Sequence, residues 1–423
     1  MRNCVTGLLV ALLCCTAVFA ADEVPAKVGV FPQEIAKNYS VADGLPDQKV
    51  LSLHQDETGI VAVTAAGACR LEGATWKPVR DFTPQRFVLV PDGDAYTLAP
   101  AEAAPGSGAV IVRSFAGDAK APVAIAAAEG LFLRNDQGVY EKSPACDGQG
   151  RLWGACDVRG VTLDSDGNLW VAMLAGLACR TADGWKFYTG HEGLPYNDFT
   201  SIAAGPDGAV WFGTTKGIVR FKNGTWHYRQ GRRWLPDDHV NDLLVDQAGN
   251  AWAATQHGIG WIGFTPMTLA EKAAFYEEEL DKYIKRTPFG YTSEVKLEKA
   301  GDRSTVVYTD SDNDGLWTSM YGAGECFAYG ATRDPEAKKR ADKAFEALRF
   351  LQTVPQTGDH RPPKGYVART ILPTDGKDPN EGRIERDTYH RDNHDVLWKV
   401  YEPRWPKSGD GKWYWKSDTS SDE

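Results

Sequence analysis

The sequence predicts an all-β propeller of about six four-stranded blades, followed by a C-terminal region that is either α+β or part of an α/α toroid. Three observations predict the propeller. Trp170, Trp211 and Trp252 lie 41 residues apart twice over, and two glycine registers keep the same step: Gly167, Gly208, Gly249 and Gly176, Gly217, Gly258. Each unit reads as strand, tight turn, strand, strand: VTLDSDGNLWVAMLAGLACR, IAAGPDGAVWFGTTKGIVRF and LLVDQAGNAWAATQHGIGWI. Their Asp-Gly or Ala-Gly turns between short apolar runs are hairpin chemistry. An aromatic fourth strand follows in WKFYT from Trp185 and WHYR from Trp226, again 41 apart. Four strands per roughly forty residues is the period of a propeller blade, which cannot bury both faces alone.

Weaker copies precede these three units. Gly59 to Trp76 aligns with Gly208 to Trp226, with Ala62 in the Trp position and one residue deleted. PDGDAY (Pro91 to Tyr96) aligns with PDGAVW (Pro206 to Trp211), and VAIAAAEGLFLRNDQGVY from Val123 is a third, worn copy. Positions near 62, 96, 124, 170, 211 and 252 therefore give about six blades within residues 32–264. Ring closure is also legible. NYSVADGLP (Asn38 to Pro46) has the spacing of FYTGHEGLP (Phe187 to Pro195), so Tyr39 corresponds to Tyr188. The N-terminal segment then reads as an outer fourth strand with no first three before it. The last unit lacks a fourth strand, and pairing the two removes two sheet edges.

Length and composition set the outer bounds. The 423 residues leave room for two or three domains, each with an ample core. The net charge of −10 and the lack of a basic cluster argue against a nucleic-acid partner. Residues 1–20 read as a secretory signal: Arg2, an apolar core from Leu8 to Ala17, and small residues at Val18 and Ala20 for cleavage. Cys14 and Cys15 raise a lipoprotein alternative, against which Leu13 is large for the position before a lipidated Cys. No later stretch is apolar over the ~20 residues of a helical span, so the mature chain is expected to be exported, secreted or periplasmic. Cys69 and Cys179, in GACR and LACR, share a repeat position where the next blade has Val219, and are expected to be small buried hydrophobes. Cys146 and Cys156 bracket DGQGRLWGA, and a disulfide between them would close a hairpin in an oxidising compartment.

The repeat resembles the two-component regulator propeller repeats of bacterial sensor ectodomains. The matching residues are Gly193-Leu194-Pro195, the turn Asp207-Gly208 and the W-x-G-T-x-x-G-I run from Trp211 to Ile218. The likeness spans at most residues 36–263, and nothing matches the kinase or receiver parts of those sensors. It implies a ligand-binding propeller that reads a carbohydrate or another small ligand, with a protein partner as a further possibility.

The pattern changes after Phe264. Residues 265–310 read as a linker helix and a hairpin: Leu269 to Arg286 is an amphipathic helix capped by Thr268 and stopped by Pro288, and Val295 to Asp310 is a hairpin. Residues 311–423 open with two antiparallel helices, Leu316 to Ala331 and Pro335 to Val354. Asp334 caps the second, and Ala337, Ala341, Phe345, Leu348 and Leu351 or Gln352 mark its inward face. One strand is expected at Tyr366 to Leu372. Asp312 to Leu348, with Gly365 to Arg369, resembles the opening of an α/α-toroid domain of polysaccharide lyases and glycoside hydrolases. That likeness implies a rival function, a carbohydrate-active enzyme whose toroid is present only in part.

The candidate ligand-binding residues follow the Leu-Pro pair of each blade connection: Asp47 and Gln48, then Asn197 and Asp198 beside Tyr196, then Asp238 and Asn241 beside Asp237 and His239. By symmetry they share one rim, where several loops can reach one ligand. Asp and Asn also cap turns routinely. Asp310, Asp312 and Asp314 form the D-x-D-x-D-G head of a calcium loop, but its twelfth position is Tyr321, where a bidentate Glu belongs. The alternative is an acidic turn favourable at a helix N-terminus. No other cofactor is expected. His390 and His394 are spaced for a shared helix face in a charged stretch. Were the C-terminal part catalytic, Asp312, Asp314, His360, Arg369, His390 and His394 would be the available acids, bases and uronate-neutralising groups.

Overall fold

A computed structural model describes residues 29–103, 108–299, 301–308, 313–393 and 403–417. Antiparallel sheet is its main regular structure. Blade I is a four-stranded meander of Val50–Asp56, Gly59–Thr64, Gly67–Glu72 and Thr75–Val79. Blade III runs from Val158–Leu163 through Leu169–Met173 and Gly176–Thr181 to Gly184–Tyr188, and blade IV repeats it from Phe199–Ala204 to Thr225–Arg229. Blade V takes three strands from Val240–Val245, Ala251–Thr255 and Gly258–Met267, and its fourth from the N-terminal strand Phe31–Tyr39. In that pairing Tyr39 faces Ile259 and Asn38 faces Gly260. This is the closure that the Tyr39/Tyr188 equivalence predicts, extended by seven residues toward the N-terminus.

The blade count differs from six. Tyr96 and Ala124 do not head separate blades, because the described residues of 87–142 supply six strands in all. These close into one barrel in the order Gly130–Arg134, Tyr140–Lys142, Ala95–Pro100, Phe87–Asp92, Val110–Ala116, Ala124–Ala127. Strand Val110–Ala116 pairs with Phe87–Asp92 on one side and Ala124–Ala127 on the other, so the hairpin of one worn copy is absorbed by the next. Closure leaves no edge, so two incomplete sheets expose no unpaired strand. The innermost strands of blades I, V, IV and III and strand Val110–Ala116 of the barrel lie side by side in that order.

Each repeat turn is built from side chains. In D-x-x-G-x-x-W, Asp164 accepts from the backbone N–H of Asp166 and Asn168, from Asn168 Nδ2, and from Trp170 Nε1 at 2.8 Å. Asp246 holds Asn250 and Trp252 in the same way. Asp147 does so with Arg151 and Trp153, a copy the Trp spacing does not reveal. Gly205 stands where blade IV would need the Asp, and the buried Trp211 Nε1 there has no protein partner. The carboxyl of Asp164 is resisted by burial but held below its ordinary range by the bonds from Trp170 and Asn168.

The core sits between blades. Trp170 and Leu177 of blade III pack with Phe199, Phe212 and Val219 of blade IV, and Tyr39 and Trp252 pack against Trp76 of blade I. Cys69 and Cys179 are buried in different blades, each facing the Trp position of the neighbouring strand (Ala62 and Trp170). Their counterpart in blade IV is Arg220, facing Trp211, and not Val219. Its guanidinium stacks on Trp211 and Phe264. Cys146 and Cys156 are both free and exposed. In the hairpin Cys146 faces Leu152, which places Cys156 four residues beyond the position able to bridge to it.

The C-terminal part is a small α+β unit. Helix α1 (Leu269–Glu279) carries the Thr268/Glu271 capping box and runs on into a π turn at Leu280–Ile284. Helices α2 (Asp314–Thr332) and α3 (Pro335–Thr353) form a hairpin, and a fourth helix, α4, spans Ile384–Asn393. Val295–Leu297 pairs with Val306–Tyr308, and Ile371–Pro373 pairs with Trp413–Trp415. The strand expected at Tyr366 to Leu372 is thus shorter and begins at Ile371. The inward face of α3 is Ala337, Ala344, Ala347 and Leu351, while Phe345 is 63% exposed. Small residues decide this: a Cβ on Gly322 would sit 3.0 Å from Ala344 Cβ, so α2 and α3 approach along their alanines and glycines. Behind them Tyr291, Ile371 and Trp415 complete the core. No α/α toroid forms among the described residues.

Candidate functional site

All five innermost strands carry a β-bulge. The register shifts between Val50 and Ser52, Val112 and Ser114, Val158 and Gly160, Phe199 and Ser201, and Val240 and Asp242. The extra residues are Leu51, Arg113, Arg159, Thr200 and Asn241, and none of the five is buried. In blades I, IV and V the bulge lies five residues past the proline of the Leu-Pro pair (Pro46, Pro195, Pro236). The bulges therefore stand on the face that carries the Leu-Pro loops. A bulge re-aims side chains and ends regular pairing, and bulges recur at barrel rims and beside active sites.

A polar chain joins these positions on one side of the ring. Arg113 Nη1 donates to Asp157 Oδ1 at 2.7 Å, and Arg159 Nε donates to Asp157 Oδ2 at 2.9 Å. Arg159 Nη1 stands 3.9 Å from Asp198 Oδ1. Asp198 Oδ2 accepts from Thr215 Oγ1 at 2.8 Å, and Tyr196 OH meets the same hydroxyl at 3.1 Å. Asp157 adopts φ 48°, a left-handed conformation that Asp tolerates better than most residues. Its N–H donates to Ala128 O, which fixes the carboxylate between the two arginines. The bond from Arg113 is the main reason its carboxyl sits below the ordinary range.

Most rim residues singled out from the sequence are also turn-makers. Asp47 accepts from Lys49 N–H, and Asp238 accepts from Gly231 N–H, closing a loop whose capping acid is missing. In the two sister loops that acid is present as Asp43 and Glu192. Asn241 Nδ2 donates to Val50 O across the junction of blades V and I, and its Oδ1 accepts from Gln256. Asn197 Nδ2 donates to Leu174 O, though the residue stays exposed, as does Gln48. Asp237 accepts from His257 Nδ1 at 2.6 Å. The structure thus brings Asn197, Asp198, Asp238 and Asn241 to one rim with Asp47 and Gln48, and half of their polar atoms are spent on loops and blade junctions.

Sequence reasoning missed Arg113, Asp157 and Arg159. Two were within reach, since Asp157 and Arg159 lie 41 residues before Asp198 and Thr200. Arg113 sits in the barrel, where the repeat spacing is lost, and carried no signal.

The acidic turn has a different environment. Asp310 and Asp312 lie outside the described residues. Asp314 is fully buried at the start of α2, where its Oδ2 accepts from Arg286 and from Thr370 Oγ1. Arg286 also donates to Ile371 O, so the pair ties α2 to the Ile371–Pro373 strand. Among the described residues no group of three His, Cys, Asp or Glu side chains is arranged to hold a metal ion. His394 and the side chain of His390 fall outside what is described, while His360 is exposed and Arg369 is buried. A second polar cluster braces three helices: Tyr321 OH donates to Glu277 Oε2 at 2.8 Å, with Arg340 Nε 3.3 Å from the same oxygen. Burial, and then the charge of Glu277, push the Glu325 carboxyl above its ordinary range.

Residues 193–216 match the two component regulator propeller family. This stretch holds the Gly-Leu-Pro lead-in, Asn197, Asp198, the Thr200 bulge and Thr215. Among solved structures, the chain is similar to the extracellular domains of two hybrid two-component systems of B. thetaiotaomicron. The first is 16% identical with a TM-score of 0.37, the match covering 53% of this chain and 40% of that one. The second is 14% identical with a TM-score of 0.31, covering 54% and 40%. A streptogramin B lyase is 14% identical with a TM-score of 0.32, covering 55% of this chain and 98% of its own. The matched region spans about 40% of the length of the two sensor domains. No curated protein matches the sequence. No helix among the described residues is long and apolar enough to cross a membrane.

Proposed function

We propose that the chain is an exported, secreted or periplasmic ligand-binding propeller that recognises carbohydrate on its bulged rim. One observation carries the reading: all five innermost strands break register at the Leu-Pro face, and four of the five extra residues are polar. Register breaks cost ladder hydrogen bonds, so their repetition at one face suits a surface shaped for contact. Sugars are held by several hydrogen bonds of roughly 0.5–1.5 kcal/mol net each, and the exposed amides of Gln48 and Asn197 add donors and acceptors beside the bulges. Asp47, Asp198, Asp238 and Asn241 shape the loops that present them. The signal-like segment of residues 1–20 supports export. The sensor-type repeat supports a sensing or scaffolding role with a protein partner.

A glycan array on the mature chain, followed by calorimetry on the best binder, tests the reading. Replacing both Gln48 and Asn197 by Ala should weaken that binding about tenfold with little change in melting temperature. Replacing Asp314 by Asn should lower stability and leave glycan affinity unchanged. Loss of binding in the Asp314 variant with retention in the rim variant would move the site to the C-terminal unit, and an array without any binder would sink the carbohydrate assignment.

A further inference from the structure

The geometry points to an uncharged sugar as the rim's ligand, with Arg113 and Arg159 as the residues that select it. This inference rests on the reading of the rim as a carbohydrate site and names the chemical class that site takes. Arg113 and Arg159 occupy equivalent bulges of adjacent sheets, and Asp157 is shared between them. Each arginine side chain is about one-third exposed, at 37% and 30%. Their spent donors are Arg113 Nη1 on Asp157 and Val158 O, and Arg159 Nε and Nη1 on Asp157 and Phe199 O. Arg113 Nε and Nη2 and Arg159 Nη2 remain for a ligand.

Charge decides which ligand. Two guanidinium groups face two carboxylates, Asp157 and Asp198, so the formal charge of the arc is zero. The whole chain adds a net −10. A uronate or sulfated sugar would meet arginines already neutralised and two carboxylates that repel it. A neutral sugar meets oriented donors on the arginines and acceptors on Asp198, the pairing that vicinal hydroxyls satisfy. The left-handed backbone of Asp157, pinned by its N–H bond to Ala128 O, keeps the neutralising carboxylate in place. An unneutralised arginine pair at the same position would select acids. Asp157 is thus the specificity switch, and the arginines are the donors.

The test uses the mature chain and two probe sets, neutral oligosaccharides (gluco-, manno- and xylo-hexasaccharides) and oligogalacturonate. The wild type should bind a neutral probe with an affinity that changes less than twofold between 20 and 500 mM NaCl, and should bind oligogalacturonate at least tenfold more weakly. Arg159→Ala and Arg113→Ala should each weaken the neutral probe about tenfold. Asp157→Asn keeps a residue able to hold the left-handed backbone while leaving the arginines unneutralised. It should raise oligogalacturonate affinity at least fivefold, with a salt dependence the wild type lacks. Wild-type preference for oligogalacturonate, or an Asp157→Asn variant with unchanged selectivity and an unchanged melting curve, overturns the inference while leaving a carbohydrate site in place. Binding of neither probe set by wild type overturns it together with the carbohydrate reading.

Discussion

Blades III to V and the barrel of residues 87–142 solve the same packing problem by different means. In the three regular blades the turn glycine between the second and third strands lies under a carbonyl of the fourth. A Cβ on Gly176, Gly217 or Gly258 would stand 2.3 Å from Tyr188 O, 2.4 Å from Arg229 O or 2.2 Å from Tyr39 O. In the barrel the corresponding Gly130 lies under Gly154 O, 2.8 Å from where its Cβ would be, and Leu131 N–H donates to that carbonyl at 2.8 Å. The residue after the hairpin that ends at Trp153 thus delivers the carbonyl that the fourth strand supplies in the regular blades. The comparison teaches that the carbonyl over a turn glycine can come from more than one source, while blade I, where nothing lies within 4 Å of a Cβ on Gly67, does without one. The functional consequence is that the barrel can carry Arg113 to the rim without obeying the 41-residue step.

The largest effect that would break this comparison is at the closing strand. Gly258→Ala places a methyl group against Tyr39 O at a φ of 131°. It should cost roughly 4 kcal/mol or more, in the range of severe single substitutions. The matched control is Gly67→Ala in blade I, with φ 139° but nothing within 4 Å of the new Cβ. That variant should lose only about 1–3 kcal/mol of backbone strain. Denaturant unfolding of both decides the matter, and equal losses would mean that strain alone, not the overlying carbonyl, fixes the glycine.

The same comparison explains how much was legible. The 41-residue step exposed blades III to V because hairpin turns and inward tryptophans are sequence-local features. Closure by Phe31–Tyr39 was legible because the Leu-Pro loop has its own wording, Ser40 to Pro46 against Thr189 to Pro195. The barrel was not, because the pairing of Val110–Ala116 with Phe87–Asp92 joins two worn copies, and neither strand carries a local signal of that partner. The α3 face was misread for a similar reason. Periodicity favoured Phe345, but the contact with Gly322 selected Ala344. At the rim, loop residues such as Asn197 and Asp198 stood out by type, whereas the bulges came from register, which a single strand does not announce.

The D-x-x-G-x-x-W turn gives a smaller effect. Asp164→Ala removes four hydrogen bonds and leaves the indole of the buried Trp170 without an acceptor. At about 0.5–1.5 kcal/mol per bond, a loss of roughly 2–6 kcal/mol is expected, read as a fall in the urea midpoint. Blade IV lives without this carboxylate, and Gly205→Asp would put an Asp at the missing position. The new Cβ, however, would stand 2.8 Å from Asp207 Oδ1 and 3.2 Å from Val245 Cγ1. That variant should be less stable than wild type. A gain in stability would show that blade IV merely lost the turn by drift.

The smallest effect separates Asp242 from its equivalents. One residue past each bulge stand Ser52, Ser114, Gly160, Ser201 and Asp242, small side chains at which the innermost strands converge. Ser114 bridges to Val161 of the next innermost strand, and Asp242 does the same at the ring's closing junction by accepting from Leu53 N–H at 2.9 Å. Surrounding protein desolvates the Asp242 carboxyl and pushes it up to about 6 from an ordinary 3.8. The folded state therefore holds this proton more tightly than the unfolded chain. The resulting stabilisation is full below pH 4 and is lost as pH rises to about 6, by at most about 3 kcal/mol. His54 and His227, lowered chiefly by burial, work in the opposite sense, adding stability as pH rises toward 6.5. Carboxylates held low, such as Asp157 and Asp164, lose their contribution only below pH 4. The informative quantity is thus the difference in slope between wild type and Asp242→Asn from pH 4 to 6.5. The variant should gain stability with pH across this window relative to wild type, whatever its absolute stability. Parallel curves would mean that the Asp242 carboxyl is as well hydrated as that of an ordinary surface aspartate.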